Sequence, residues 1–347
     1  MSEQQEVHCM KAFHGRENNS ENGVSGHCLL PVFYSNFAER IWKAPVRKDD
    51  VWLVSYPRTG STWCQEMIWL IQNNLDFHTA RTVLQQLRAP LMEFSVIMIE
   101  YVDSISSDSC NYSIPRYKKI HLSLDLLFNF MGSFTDQLDH LIRDSVSFVE
   151  DLPSPRCIKS HLPIELLPEE IFTVKPKMIY TMRNPKDLCV SYFFHLNLVH
   201  KVTVDFDTFC ELFLNDALPI GSVFHHYFGF WKRRNDPNIL ILRYEEMKAN
   251  TPQTVRTIAK FLGKSLTDEE VDTICEFLSF QNMRENKACN LQVLVDNERG
   301  EEFYQKTGQH FIRKGIVGDY KNHMSSEMIK RFDRWIDENT RGTDLVF

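Results

Sequence analysis

Four apolar runs of strand length constrain the fold of this chain more than any other feature. They are VWLVSY (Val51 to Tyr56), RCIKSHL (Arg156 to Leu162), KMIYTMR (Lys177 to Arg183) and NILILRY (Asn238 to Tyr244), each closed by Pro, Gly or a polar turn. Short runs without regular polar alternation read as strands buried on both faces. Between them the apolar spacing becomes helical. Trp63, Met67, Leu70 and Ile71 recur at that spacing after Gly60, and NPKDLCVSYFFHL opens with Pro185 at a first helical position. TPQTVRTIAKFLG reads with Thr251 as N-cap, Pro252 inside and Gly263 as stop, and TDEEVDTICEFL carries a capping box from Thr267 to Glu270. Strands alternating with helices need crossover connections. The expected fold is therefore α/β, with a central parallel β-sheet flanked by helices.

The 347 residues, 43% hydrophobic and 24% charged, are enough for one large core. Residues 1–25 are rich in Asn, Glu, Ser and Gly and read as a flexible segment ahead of a single domain over residues 26–347. Tyr101 to Lys119, rich in Ser and Asp, reads as a loop or excursion. A formal net charge of -7 argues against a nucleic-acid partner, so any anion site must be local. The N-terminus carries no basic region followed by an apolar core, and no later apolar run approaches the roughly 18 residues that span a bilayer. Nine cysteines, scattered and without C-x-x-C, fit a reduced compartment with neither a zinc site nor a disulfide frame. A cytoplasmic protein with no metal and no membrane partner is expected.

The first strand ends in the turn YPRTGST, from which a helix starts near Ser61. A helix N-terminus offers unpaired backbone N–H groups and the positive end of a dipole, so the turn can cradle an anion. Ser61 and Thr62 could equally do no more than cap the helix. The turn is not a Walker A sequence, which needs Gly-x-x-x-x-Gly-Lys-Ser/Thr. Two further stretches repeat its chemistry. RNPKDLCVS places Arg183 at a strand end and Ser191 along the following helix, a guanidinium and a hydroxyl for a second phosphate. FIRKGIVGDYKNH sets Arg313 and Lys314 against Gly315 and Gly318, a loop whose backbone N–H groups and Arg fork can close over the same group.

In order and separation, YPRTGSTW, RNPKDLCVSYFFH and RKGIVGDYKNH resemble the signature segments of the cytosolic sulfotransferases. KSHLP (Lys159 to Pro163) and LRYEEMKAN (Leu242 to Asn250) fit between them, and the resemblance runs from Asp49 to Phe347. EMIWLIQNNLDF and GEEFYQKTGQHFIRKG add some likeness to retinol dehydratase, a relative that eliminates water. The resemblance implies the donor 3′-phosphoadenosine 5′-phosphosulfate. Its phosphosulfate would lie on Arg58, Thr59, Gly60, Ser61 and Thr62, with Trp63 beside the adenine. Arg183, Ser191, Arg313, Lys314 and Gly315 would hold the 3′-phosphate, and Tyr244, Ser279 and Phe280 would line the adenine side. His161 matches the general base. Lys159, two residues earlier on the same extended face, would stabilise the transferring group.

The chain departs from the family pattern twice. Arg58 stands where the turn usually has lysine, exchanging a compact point donor for a planar fork. The C-terminal dimer motif Lys-x-x-x-Thr-Val-x-x-x-Glu reads as Lys321, Ser325, Ser326 and Lys330, which implies a monomer or a homodimer formed through another surface. The leading expectation is a sulfotransferase acting on a small hydroxylated apolar acceptor, in a pocket drawn from Phe77 to Phe148 and from the stretch before Gln309. The alternatives are a dehydratase of an allylic alcohol that uses the same donor, and a catalytically weak nucleotide or ligand binder.

Overall fold

The computed structural model describes residues 10–14, 27–97, 135–200, 202–291, 295, 303 and 307–347. Two strands, β1 (Met10–His14) and β2 (His27–Pro31), pair antiparallel. The first lies within the stretch read as flexible. The segment Tyr101 to Lys119, read as a loop, lies outside the described residues.

The other strands are β3 (Val51–Ser55), β4 (Cys157–Ser160), β5 (Lys177–Met182) and β6 (Ile239–Arg243). They form a four-stranded sheet in the order β4-β3-β5-β6, and every pairing is parallel. The lack of polar alternation now has its reason. Trp52 and Val54 of β3 join one hydrophobic core, on one face of the sheet, while Val51 and Leu53 join another on the opposite face.

Helices close both faces. They include α1 (Ser61–Gln72), α2 (Pro185–His200), α3 (Phe206–Leu214), α4 (Val223–Trp231) and α5 (Thr251–Leu262). Pro185 opens α2, and Gly263 ends α5 with φ 76°. The N-cap of α5 is Asn250, whose side chain accepts from Gln253 N, so Thr251 is already the first helical residue. Asn250 wins because its short side chain reaches that N–H from an extended backbone, leaving Pro252 in the first turn, where no N–H is missed. The Thr267–Glu270 capping box forms as read. Lys321, Ser325, Ser326 and Lys330 are all exposed.

Candidate active site

The strand order places β3 and β5 side by side at the centre of the sheet, so the turn after β3 and Arg183 after β5 come together at its C-terminal edge. In that turn Arg58 (φ 71°) and Gly60 (φ 90°) adopt left-handed backbone conformations. Gly60 is required twice over, because a Cβ there would stand 2.6 Å from Cδ2 of Tyr244. Gly60 is the N-cap of α1 and no side chain caps it. The first-turn N–H groups therefore remain free to bind an anion.

The Thr59 side chain is committed to the protein itself. Its hydroxyl donates to Tyr56 O (3.0 Å) and shares a 2.8 Å hydrogen bond with the Thr181 hydroxyl, fixing the buried turn to β5. Arg58, Gly60, Ser61, Thr62 and Trp63 face the cavity beside it. Trp63 donates Nε1–H to Leu278 O (3.0 Å) and meets Tyr244 edge-on at 6.3 Å. Leu278 and Phe280 also line this wall. Ser279 between them turns away, its hydroxyl accepting from Asn282 N (3.4 Å).

A cluster of cations faces the turn. Arg183 donates to the carbonyls of Arg58 (3.3 Å) and Ile316 (3.2 Å), and its guanidinium lies 4.2 Å from the centre of the Tyr244 ring. Arg313 pairs with Asp319 (2.6 Å) and packs 4.7 Å from the Phe194 ring, and Lys314 reaches Asp319 at 3.0 Å. Burial opposes ionisation of Asp319, but hydrogen bonds from Asn322, Lys314 and Arg313 hold its carboxyl well below the usual range. Asp187, in the first turn of α2, accepts from Gly318 N (2.6 Å) and Tyr320 N (3.0 Å) and so docks the whole Arg313–Gly318 segment against α2. Gly315 (φ 65°) lies against Phe280, whose Cδ2 would be 2.8 Å from an added Cβ. Two nitrogens of the cluster, Arg183 Nε and Arg313 Nη1, are buried with no hydrogen-bond partner among the described residues. Buried guanidinium N–H groups left unpaired are costly, and they fit an anionic ligand with several acceptor oxygens.

Arg58 is drawn into the same cluster. Its Nε donates to Ser191 Oγ and its Nη2 to Phe311 O, both at 3.3 Å, and its Nη1 lies 3.5 Å from His195 Nδ1. Burial, and then the charges of Arg183 and Arg313, push its guanidinium down to about 10.

Lys159 lies near the end of β4 and His161 directly follows it. A bridge to Leu91 holds Lys159 in place, with Lys159 N donating to Pro90 O and Met92 N donating to Lys159 O, both at 2.8 Å. Burial and the charge on Arg58 push its ammonium down to about 8. His161 Nδ1 lies 2.8 Å from Ser55 O. A carbonyl only accepts, so the proton sits on Nδ1 and Nε2 keeps its lone pair. Burial, and then Lys159, hold the His161 pKa well below the ordinary value, so the ring stays neutral. Glu93 Oε1 accepts from His161 N (2.6 Å) and Oε2 from Ser160 Oγ (2.9 Å), while burial pushes its carboxyl up to about 7.

Lys159, His161, Arg58 and the cation cluster share one cavity of about 900 Å³. Its other end is apolar, walled by Leu91, Phe94, Leu196, Val204, Leu212 and Ile220 among others. Within Phe77 to Phe148 the described part of the wall comes from residues 86–97, and Leu30, Pro31 and residues 192–220 add more to it. Sequence reasoning also missed Glu93 and His195. Glu93 is a lone charge within PLMEFSVIM, and His195 lies one turn beyond Ser191 on the same helix, signals that were available. Among the described residues no group of three or more His, Cys, Asp or Glu could hold a metal ion, and no helix is long and apolar enough to cross a membrane.

A parallel sheet with an anion cradle and a guanidinium cluster at its C-terminal edge, opening onto an apolar chamber with a neutral imidazole, can hold an anionic ligand beside an apolar one. The chain belongs to the sulfotransferase family, and the family model "Sulfotransferase domain" matches residues 48–344. It is a transferase of that family. It is 35% identical over 319 residues to the luciferin sulfotransferase of Photinus pyralis, a match covering 91% of this chain and 78% of that relative. It is 31% identical over 319 residues to sulfotransferase 1E1 of Bos taurus, covering 90% and 92%. Retinol dehydratase, solved in a complex with retinol and PAP, shares the fold with a TM-score of 0.76 and 30% identity, covering 92% of this chain and 89% of that one.

Proposed function

We propose that the protein moves a sulfuryl group from 3′-phosphoadenosine 5′-phosphosulfate to the hydroxyl of a small apolar acceptor. The observation that carries this reading is the state of His161: Nδ1 is tied to Ser55 O, and the ring lines the cavity that also holds Lys159 and the cradle. Its Nε2 takes the hydroxyl proton as the acceptor oxygen bonds to sulfur. The bond from sulfur to the phosphate oxygen breaks, and 3′-phosphoadenosine 5′-phosphate leaves. Lys159 stabilises charge on the group in transit, while Arg183, Ser191, Arg313, Lys314 and the backbone of Gly315 hold the 3′-phosphate. Apolar walls and a formal net charge of -7 favour an uncharged acceptor over a polyanion.

A second reading is supported by the retinol dehydratase likeness: the same donor sulfates an allylic alcohol, and sulfate is then expelled. Incubation with labelled donor and a panel of phenols, sterols and allylic alcohols separates the two. A labelled ester supports transfer, and free sulfate with an anhydro product supports elimination. No turnover despite donor binding would refute both. In either reading His161→Ala removes a positioned base, with turnover falling by about 10²–10⁴-fold and donor affinity unchanged.

A further inference from the structure

His161 is the first residue past the end of β4, so its peptide groups have no strand partner. They are held by side chains instead. Glu93 takes the N–H, and His226 Nε2 lies 3.1 Å from the carbonyl. Because a carbonyl only accepts, the proton on His226 sits on Nε2 and Nδ1 must accept. Tyr180 Oη, 2.6 Å from Nδ1, is therefore the donor. Burial pushes the His226 pKa down to about 4, keeping the ring neutral and the chain of donors fixed in one sense. The ring is 1% exposed. It stacks on Tyr180 (5.6 Å, 24°) and on Phe230 (6.3 Å, 22°) and meets the edge of Tyr56 at 5.7 Å.

We propose that His226, set by Tyr180, is a positioning residue for His161, gripping the carbonyl of the catalytic peptide as Glu93 grips its N–H. The inference rests on the reading of His161 as the base. The chain runs from the centre of the sheet through α4 to the peptide beside the transfer site, and it touches neither donor nor acceptor. An apolar side chain at 226 would fill the same space, but it would leave the His161 carbonyl unpaired and the ring free to drift. A misplacement of about 1 Å near the chemistry can cost about 10²-fold. The loss should therefore fall on kcat rather than on binding.

The test compares His226→Phe, which keeps the ring stack and removes the donor, with His226→Gln, whose amide can donate to the carbonyl and accept from Tyr180. Steady-state kinetics with a turned-over acceptor are read beside calorimetric affinity for 3′-phosphoadenosine 5′-phosphate. His226→Phe should lower kcat by about 10- to 100-fold, with both KM values and the calorimetric affinity within about twofold of wild type. His226→Gln should stay within about threefold of wild type. A His226→Phe enzyme with wild-type kcat, a loss confined to KM, or a His226→Gln enzyme as slow as His226→Phe would each overturn the proposal. If His226→Phe does not fold, Tyr180→Phe probes the chain from its far end. A kcat lowered by about threefold or more supports the proposal, and a smaller change overturns it. His161→Ala measured alongside keeps the readings apart, because activity surviving there refutes the base and leaves the His226 result to be judged on its own.

Discussion

Removing the 3′-phosphate from 3′-phosphoadenosine 5′-phosphate, which gives AMP, tests the cation cluster directly. Arg183 Nε and Arg313 Nη1 are buried without partners among the described residues, so each has a hydrogen bond to give. A charge-assisted bond of this kind is worth roughly 1.5–3 kcal/mol, which for the two nitrogens is about 3–6 kcal/mol. Asp319 already neutralises part of the Arg313 charge, and Arg183 already stacks on Tyr244, so the lower end applies. At about 1.4 kcal/mol per tenfold, AMP should bind about 10²-fold more weakly than the 3′-phosphorylated nucleotide. Titration calorimetry of both nucleotides at fixed ionic strength reads the difference. Repeating it at higher salt should narrow the gap only modestly, because the groups are buried and poorly screened. Affinities within about threefold of each other would remove Arg183 and Arg313 from nucleotide recognition.

Arg58→Ala should lose about 10²–10³-fold in single-turnover rate at saturating donor, the usual cost of deleting one donor to a developing oxyanion, while Arg58→Lys keeps or improves the rate. An alanine variant within about threefold of wild type would assign Arg58 to holding Ser191 and Phe311 only. The pH profile follows from two depressed pKa values of opposite consequence. His161 acts when neutral, and its lowered pKa keeps it neutral further into acid, so kcat should hold steady through the ordinary histidine range and fall only below it. Lys159 acts when charged, and a value of about 8 means that kcat/KM should decline on the alkaline side near there, with the limb moving upward once anionic donor is bound. An acid limb at the usual histidine value would contradict the packing of His161.

The four strands of the parallel sheet were legible because a strand buried on both faces must be largely apolar, whereas β1 and β2 were not read. The order of the four was not legible. Nothing in VWLVSY states that its strand lies between RCIKSHL and KMIYTMR rather than at an edge of the sheet. The cradle was legible as a Gly-Ser-Thr turn at a helix start, yet the division of labour inside it was not. Thr59 and Ser61 look alike in sequence, and only the left-handed backbone at Arg58 and Gly60 turns one hydroxyl to Thr181 and brings the other residue to the cavity. Ser279, read as lining the adenine side, uses its hydroxyl to cap the helix Phe280–Glu285, because a serine at a helix start has that helix's own backbone N–H within reach. His226 left no mark in GSVFHHYFGFW, where its neighbour His225 looks equally eligible. The distinction lies in what stands across the sheet, Tyr180 and the His161 carbonyl.

Asp187 ties the Gly318–Tyr320 backbone to the start of α2, and that tie sets an order of events during synthesis. The cradle at Arg58–Thr62 leaves the ribosome early and β6 completes the sheet around it, yet Arg313 and Lys314 follow only after most of the chain has emerged. In the nascent chain the segment that completes the nucleotide site also completes the core, since Met324, Met328, Phe332 and Leu345 follow Arg313 and Lys314 and are buried in it. Damage that removes the final segment, by proteolysis or an early stop, would therefore strip buried core residues together with Arg313 and Lys314, costing the protein its stability as well as its nucleotide site.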